Sequence, residues 1–131
     1  MDSEYDAGSG KRRVLIVDDD ESIRSLLYVF FEQEGYDVAT AETGERALES
    51  FEAGRFHLVM LDYFMPGMNG LEVASAMHAR DPEVTIAMIT GMAHTLAHAD
   101  LASAGIVRMF SKPFDLNEIA AWVQHLSEPD G

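Results

Sequence analysis

The chain has 131 residues with 23 acidic and 9 basic side chains, which gives a formal net charge of −14. This length suits one domain, and a hydrophobic content of 47% is ordinary for a globular fold. Phosphate backbones and anionic membranes repel so acidic a chain, so we expect no direct nucleic-acid or membrane partner. The lack of cysteine excludes disulfides, thiolate nucleophiles and Cys-ligated metals.

Short apolar runs alternate along the chain with segments that have the apolar spacing of one helical face. The first run, from Val14 to Val17, is continuous and β-branched, which is typical of a strand buried on both faces. Apolar residues from Ile23 to Phe31 then recur at helical spacing, and Gly35 is the expected stop. In chain order the predicted elements are a strand (14–17), a helix (23–31), a strand (37–41), a helix (44–53), a strand (57–61), a helix capped by Asn69 (to Arg80), a strand (85–89), a helix (94–104), a strand (107–110) and a helix (about 115–126).

Five strands that alternate with five helices predict an α/β fold with a parallel sheet, because parallel strands need crossover connections. A closed eight-stranded barrel requires about 250 residues, so an open, doubly wound sheet with helices on both faces remains. We expect this three-layer domain to cover residues 12–127, between flexible tails at 1–11 and 128–131. In such sheets, functional groups lie at the carboxyl ends of the strands.

Charged and hydroxyl side chains follow four of the five predicted strands. Asp18 and Asp19 follow the first strand, Asp62 the third, Thr90 the fourth and Lys112 the fifth. Crowded carboxylates repel one another unless a cation joins them, and an open site with only oxygen ligands suits Mg²⁺. A carboxylate beside Mg²⁺ can attack phosphorus, and a hydroxyl and an ammonium group would hold the transferred phosphoryl oxygens. Phosphoryl chemistry at an aspartate is therefore the function that these residues favour.

Four short motifs occur in one order: VLIVDDDE at 14–21, LVMLDYFMPGMNG at 58–70, ITG at 89–91 and KPF at 112–114. Together they resemble the receiver domain of bacterial two-component response regulators, the CheY-like family, over about residues 12–127. The resemblance implies a flavodoxin-like (βα)5 fold with strand order 2-1-3-4-5. It also implies a cytoplasmic phosphorelay switch rather than a turnover enzyme, limited to single-turnover self-phosphorylation and autodephosphorylation.

The resemblance also implies roles for individual residues. Asp62 would accept the phosphoryl group from the histidine of a kinase or of a phosphotransfer protein. Asp19 and Asp62 would bind Mg²⁺ directly, together with the backbone carbonyl of Phe64, while Asp18 would act through a metal-bound water. Residues of the family's remaining two motifs would complete the site.

In the ITG motif, Thr90 would swing toward the phosphoryl group, and in the KPF motif, Lys112 would pair with that group. The signal would then leave through the fourth helix, the fifth strand and the fifth helix, at about residues 94–126. This face would contact a downstream protein target or an output domain, and a homodimer is left open.

Three side chains occupy positions that affect switching or the lifetime of the phosphorylated form in this family. Met109 occupies a position where receivers usually carry a tyrosine or phenylalanine that switches rotamer, so aromatic switching is in doubt. Phe64 and Met92 lie two residues after Asp62 and Thr90, where side chains influence the access of water to the acyl phosphate. Both are bulky and apolar, so we hypothesise that they lengthen the lifetime of the phosphorylated form.

Two alternative functions fit parts of the same sequence. The segment at Asp18 and Asp20 fits the opening motif of haloacid-dehalogenase-like phosphatases, with Asp18 as nucleophile and Asp20 as acid/base. Those enzymes need a further acidic pair beyond the lysine, whereas Asp115 and Glu118 fall at a predicted helix start. A receiver-like interaction module that no longer uses phosphate is the other alternative, which Met109 keeps open.

Overall fold

The structure, a computed structural model, describes residues 11–91 and 95–127. Its elements are β1 (Arg13–Val17), α1 (Glu21–Gln33), β2 (Asp37–Ala41), α2 (Gly44–Ser50), β3 (Leu58–Leu61), α3 (Gly70–Arg80), β4 (Thr85–Thr90), α4 (His98–Ser103), β5 (Ile106–Ser111) and α5 (Leu116–Ser127). All strand pairs are parallel, and the sheet has the order β2-β1-β3-β4-β5. The predicted α/β fold and its strand order are confirmed.

Some predicted features lie outside the described residues. They are Met92, the predicted start of the fourth helix at 94, and the predicted tails apart from Lys11. Within the described ranges, no helix combines the length and the apolar character needed to cross a membrane.

The central strands are buried along their whole length, as their continuous apolar runs predict. Alternate side chains of β1 enter two different cores. Leu15 and Val17 belong to the core that includes residues of α2, α3 and α4. Val14 and Ile16 belong to the core that includes residues of α1 and α5. Because each buried aliphatic side chain contributes about 1.5–3 kcal/mol of transfer free energy, the carboxyl ends of these strands have little freedom to move.

Side-chain caps start two helices directly after the loops that follow β1 and β3. The Asp20 carboxylate accepts hydrogen bonds from the N–H groups of Ser22 (2.8 Å) and Ile23 (3.4 Å), which starts α1. Asn69 and Glu72 form a reciprocal capping box at the start of α3, with two bonds of 2.9 Å. These caps fix where the polar loops of the sheet edge turn back into helices.

The second helix is shorter than predicted, because α2 ends at Ser50 rather than at residue 53. Phe51 has an extended backbone (φ −86°, ψ 126°), and its buried ring stacks on that of Phe56 at 6.2 Å. From α3, the guanidinium of Arg80 donates to the carbonyl oxygens of Leu48 (3.0 Å) and Phe51 (3.5 Å). Burial of the Phe51 ring and the hydrogen bonds from Arg80 therefore end the helix before residue 53.

The fourth helix is also shorter than predicted, since α4 begins at His98 and has six residues. Its N-terminal cap position makes no side-chain hydrogen bond, so the first turn lacks local stabilisation.

At the start of α5, Asp115 accepts a hydrogen bond from the N–H group of Asn117. Glu118 in the first turn pairs with Arg108 of β5 at 3.1 Å.

Candidate functional site

The sheet brings the carboxyl ends of β1, β3, β4 and β5 to one edge. The N–H group of Asp62 donates to the carbonyl of Val17, the residue before Asp18, at 2.9 Å. The N–H group of Lys112 donates to the carbonyl of Thr90 at 3.0 Å. Ladder hydrogen bonds thus continue into the site residues, which fixes their backbones relative to one another. The peptide bond between Lys112 and Pro113 is cis.

One ammonium group joins two buried carboxylates at this edge. Lys112 Nζ donates to Asp18 Oδ2 at 3.0 Å and to Asp62 Oδ2 at 3.3 Å. Asp18 and Asp62 are only 2% and 6% exposed, whereas the lysine side chain is 25% exposed. The second oxygens are held by the backbone, since Asp20 N–H donates to Asp18 Oδ1 (2.9 Å) and Phe64 N–H donates to Asp62 Oδ1 (3.4 Å). Both carboxylates are therefore fixed in position.

The exposed carboxylate of Asp19 completes a group of three. One oxygen from each of Asp18, Asp19 and Asp62 lies within 4.8 Å of the other two. In the part of the chain that the structure describes, no other group of three acidic, histidine or cysteine side chains meets this spacing. Carboxylate oxygens on a partly open surface are the ligands that Mg²⁺ prefers, so the residues present fit a hard divalent cation.

The charges in this cluster shift two pKa values. Burial raises the pKa of Asp62, and the nearby Asp18 carboxylate raises it further, while Lys112 opposes both effects. Burial acts to lower the pKa of Lys112, but its hydrogen bonds and charge interactions with Asp18 and Asp62 outweigh burial and raise it. Lys112 is therefore a cation at neutral pH, next to a carboxylate whose ionised form is disfavoured. A second cation at the three carboxylates would favour the ionised form.

The Thr90 hydroxyl and the Met109 side chain belong to β4 and β5, the two strands that follow β3 in the sheet. Thr90, 1% exposed, is the last residue of β4 and lies opposite Ser111 of β5. Met109 packs against the core that includes α4, whereas Phe110 points into the opposite core with its ring edge-on to Trp122 at 5.7 Å. Because successive strand residues face opposite ways, Phe110 does not supply the missing aromatic ring at the Met109 position.

Two residues at this edge were not predicted from the sequence. The guanidinium of Arg24 on α1 donates to the backbone carbonyl of Asp18 at 2.9 Å. Gly70, the first residue of α3, allows close approach: a Cβ atom there would lie 2.5 Å from the carbonyl oxygen of Asp62 and 2.7 Å from Cα of Tyr63. A glycine directly after the helix-capping Asn69 is the sequence signal that indicates such close packing.

Comparison with known protein families identifies the family of the chain. The sequence model for the response regulator receiver domain matches residues 14–124. The chain belongs to this family. Sporulation initiation phosphotransferase F of Bacillus subtilis is 36% identical over 107 residues, which cover 82% of this chain and 86% of that protein. The DNA-binding response regulator MtrA of Mycobacterium tuberculosis is 35% identical over 114 residues, and the match spans half of its length.

Solved structures agree with the family assignment. Response regulator TrrA of Thermotoga maritima, in complex with Mg²⁺-BeF, has a TM-score of 0.77 at 38% identity, over 88% of this receiver and 98% of that chain. TrrA in complex with the histidine kinase ThkA has a TM-score of 0.78 at 35% identity, over 89% of this receiver and 99% of that chain. The predicted resemblance is confirmed: this is a receiver domain of two-component signalling.

The phosphatase alternative finds no support in the receiver's geometry. Asp20, its acid/base candidate, is exposed and uses its carboxylate to cap α1. Lys112 contacts both Asp18 and Asp62. The phosphatase motif does not include Asp62, so it leaves the second contact unexplained. The family match likewise assigns the chain to receivers.

Proposed function

We propose that this receiver is a phosphoacceptor switch in which Asp62 takes a phosphoryl group from the phosphohistidine of a kinase or a phosphotransfer protein. The observation that supports this best is the double contact of Lys112 with Asp18 and Asp62. It holds the acceptor carboxylate in a fixed orientation beside a cation that can also contact an incoming phosphoryl group. A carboxylate so placed can react with phosphorus without first reorganising its surroundings.

In the transfer, an oxygen of the Asp62 carboxylate forms a bond to phosphorus. The bond from phosphorus to the donor's imidazole nitrogen breaks, and its electron pair returns to that nitrogen. Lys112 and Thr90 would hold the phosphoryl oxygens by charge and hydrogen bonding. Transfer occurs once per signal, so the receiver acts as a switch and not as a turnover enzyme.

Mg²⁺ is the cation that we propose for the three carboxylates. Asp19 and Asp62 would hold it directly with the backbone carbonyl of Phe64, and Asp18 would do so through a water. The spacing of the carboxylate oxygens supports this assignment, as does the Mg²⁺-BeF complex of TrrA. When bound, Mg²⁺ supplies positive charge that offsets repulsion between the carboxylates and the phosphoryl oxygens.

The partners proposed are a histidine kinase or phosphotransfer protein and a downstream target or output domain. The TrrA–ThkA complex supports a kinase partner. For output we propose the described part of residues 94–126, formed by α4, β5 and α5, where β5 is an edge strand with an exposed Val107. A cytoplasmic location and the absence of direct nucleic-acid or membrane contact remain predictions, and a homodimer stays open.

Phosphorylation with a small donor tests the proposed function. The chain would be incubated with acetyl phosphate with and without Mg²⁺, and the modified residue would be mapped by mass spectrometry. We expect one phosphoryl group per chain, on Asp62, and only when Mg²⁺ is present. Label on Asp18 with many turnovers would instead support the phosphatase. No label under any condition would support a phosphorylation-independent module.

The side chain of Phe64 leads to a prediction about the lifetime of the phosphorylated form. Phe64 is 69% exposed, and its backbone N–H contacts the Asp62 carboxylate. We expect Phe64→Asn and Met92→Glu each to hasten dephosphorylation by about tenfold, because polar side chains there can orient an attacking water. The measurement is the decay of phosphorylated chain after donor removal, with Phe64→Leu as the apolar control. If the phosphorylated form decays at the wild-type rate in both polar variants, Phe64 and Met92 do not lengthen its lifetime.

A further inference from the structure

Arg24 of α1 lies outside the carboxylate cluster but contacts its backbone. Its half-buried guanidinium donates from Nη1 to the carbonyl oxygen of Asp18 at 2.9 Å. The Asp20 cap sets where this side chain emerges, since Arg24 N–H donates to the Asp20 carbonyl at 3.0 Å. Glu42 and Glu49 line the same surface groove, yet the hydrogen bond goes to the neutral carbonyl. Arg24 is therefore placed to hold the loop that follows β1.

The three carboxylates are not held equally. Asp18 and Asp62 each bond to Lys112 and to a backbone N–H group. The exposed Asp19 carboxylate has no hydrogen-bond partner among residues 11–91 and 95–127. Its position relative to the other two carboxylates therefore depends on its backbone.

The peptide between Asp18 and Asp19 links Arg24 to that exposed carboxylate. The carbonyl oxygen of Asp18 and the N–H of Asp19 belong to one rigid plane, so holding the oxygen fixes the orientation of the plane. The preceding peptide, between Val17 and Asp18, is held separately, since Asp18 N–H donates to the Ala41 carbonyl at 3.2 Å. The orientation of the plane decides where the Asp19 side chain starts and whether its oxygens reach those of Asp62.

We propose that Arg24 is a positioning residue that clamps the Asp18–Asp19 peptide, so that the Asp19 carboxylate is held ready to bind a divalent cation with Asp62. This inference rests on the proposed function, because it concerns the same metal site. Its contact is to a carbonyl, so geometry rather than charge carries the effect. Groups that orient metal ligands typically change metal affinity by about 10–100-fold when they are removed.

Charge alone predicts the opposite result. Arg24 is a cation close to a cation site, so removal of its charge reduces repulsion and tightens metal binding. Loss of a clamp weakens binding, because the loop must be ordered at the moment the ion arrives. The direction of the change therefore separates the two explanations.

The test compares Arg24→Ala with Arg46→Ala. Arg46 lines the same groove but is exposed, and its guanidinium lies 4.0 Å from Glu49, whereas the guanidinium of Arg24 bonds to the loop after β1. The dissociation constant for Mg²⁺ alone would be measured by calorimetry at fixed ionic strength. We expect a weakening of about tenfold for Arg24→Ala, an intermediate value for Arg24→Lys, and no weakening for Arg46→Ala.

A second measurement uses the metal-free chain. Amide order parameters of Asp19 and Asp20 should fall in Arg24→Ala and stay at the wild-type value in Arg46→Ala. Unchanged or tighter Mg²⁺ binding by Arg24→Ala, with normal binding by wild type, would overturn the clamp and leave the proposed function intact. If wild type binds no Mg²⁺, the proposed function fails, and the order parameters decide whether Arg24 holds the loop.

Discussion

Asp62→Asn is expected to take up no phosphoryl group from any donor, and yet to be more stable than wild type in metal-free buffer. The amide is not a nucleophile, so the covalent step is lost. The amide also removes the repulsion between two carboxylates that are 2% and 6% exposed. Since burial and this repulsion both disfavour the ionised Asp62 carboxylate, we expect the free energy of unfolding at pH 7 to be higher for Asp62→Asn than for wild type.

The sign of the pH dependence follows from the raised pKa of Asp62. Burial and Asp18 keep it above its ordinary value of 3.8, so the native state binds more protons than the unfolded state in that range. The contribution of Asp62 to wild-type stability therefore falls as the pH rises from 3.8 through the native pKa, and this loss persists at neutral pH. The advantage of Asp62→Asn should accordingly shrink as the pH is lowered toward 4.

Urea unfolding in the presence of a chelator, at pH 7.5 and pH 4.5, measures this effect. Asp20→Asn is the matched control, because asparagine caps helices as well as aspartate does and Asp20 makes no contact with Lys112. We expect this control to keep wild-type stability and to accept phosphate normally. Equal or lower stability of Asp62→Asn at pH 7.5 would show that the two carboxylates do not destabilise the native state.

Lys112→Ala should slow phosphorylation by acetyl phosphate by about 100-fold, which is the lower range for loss of one donor to a developing anion. The variant loses the ammonium group that would contact the phosphoryl oxygens. It also leaves Asp18 and Asp62 without their shared cation, so the pKa of Asp62 rises further and less of the nucleophile is ionised. Both effects act in the same direction on the rate.

Initial rates of phosphorylation at several Mg²⁺ concentrations would measure the loss. Lys112→Arg keeps the charge and should retain part of the rate. Lys11→Ala removes an exposed lysine at the amino end of β1, 3.7 Å from Asp37, and should leave the rate unchanged. A rate for Lys112→Ala close to that of wild type would show that Lys112 has no part in the transfer.

The strands, and the meeting of the candidate site residues at one sheet edge, could be predicted because both depend on local sequence and simple topology. Continuous apolar runs such as residues 14–17 define buried strands, and parallel order brings Asp18, Asp62 and Lys112 to one edge. The length of α2 could not be predicted, because it depends on where the ring of Phe51 is buried.

The clamp on the first loop was invisible in the sequence for a different reason. An arginine on an amphipathic helix is ordinarily a solvated residue, and nothing in the spacing of Arg24 distinguishes it from Arg46. Its contact appears only when the capped start of α1 and the direction of the Asp18 carbonyl are both known.

The arrangement around Phe110 has a practical consequence. Trp122 is the only tryptophan in the chain, and its ring packs edge-on against Phe110, two residues before Lys112. A movement of β5 relative to α5 changes the surroundings of the indole ring. The receiver therefore carries an intrinsic fluorescent reporter beside β5, the strand that directly precedes Lys112, on the face opposite Met109. A titration with metal or donor that shifts β5 against α5 would change the fluorescence of this ring without an attached dye.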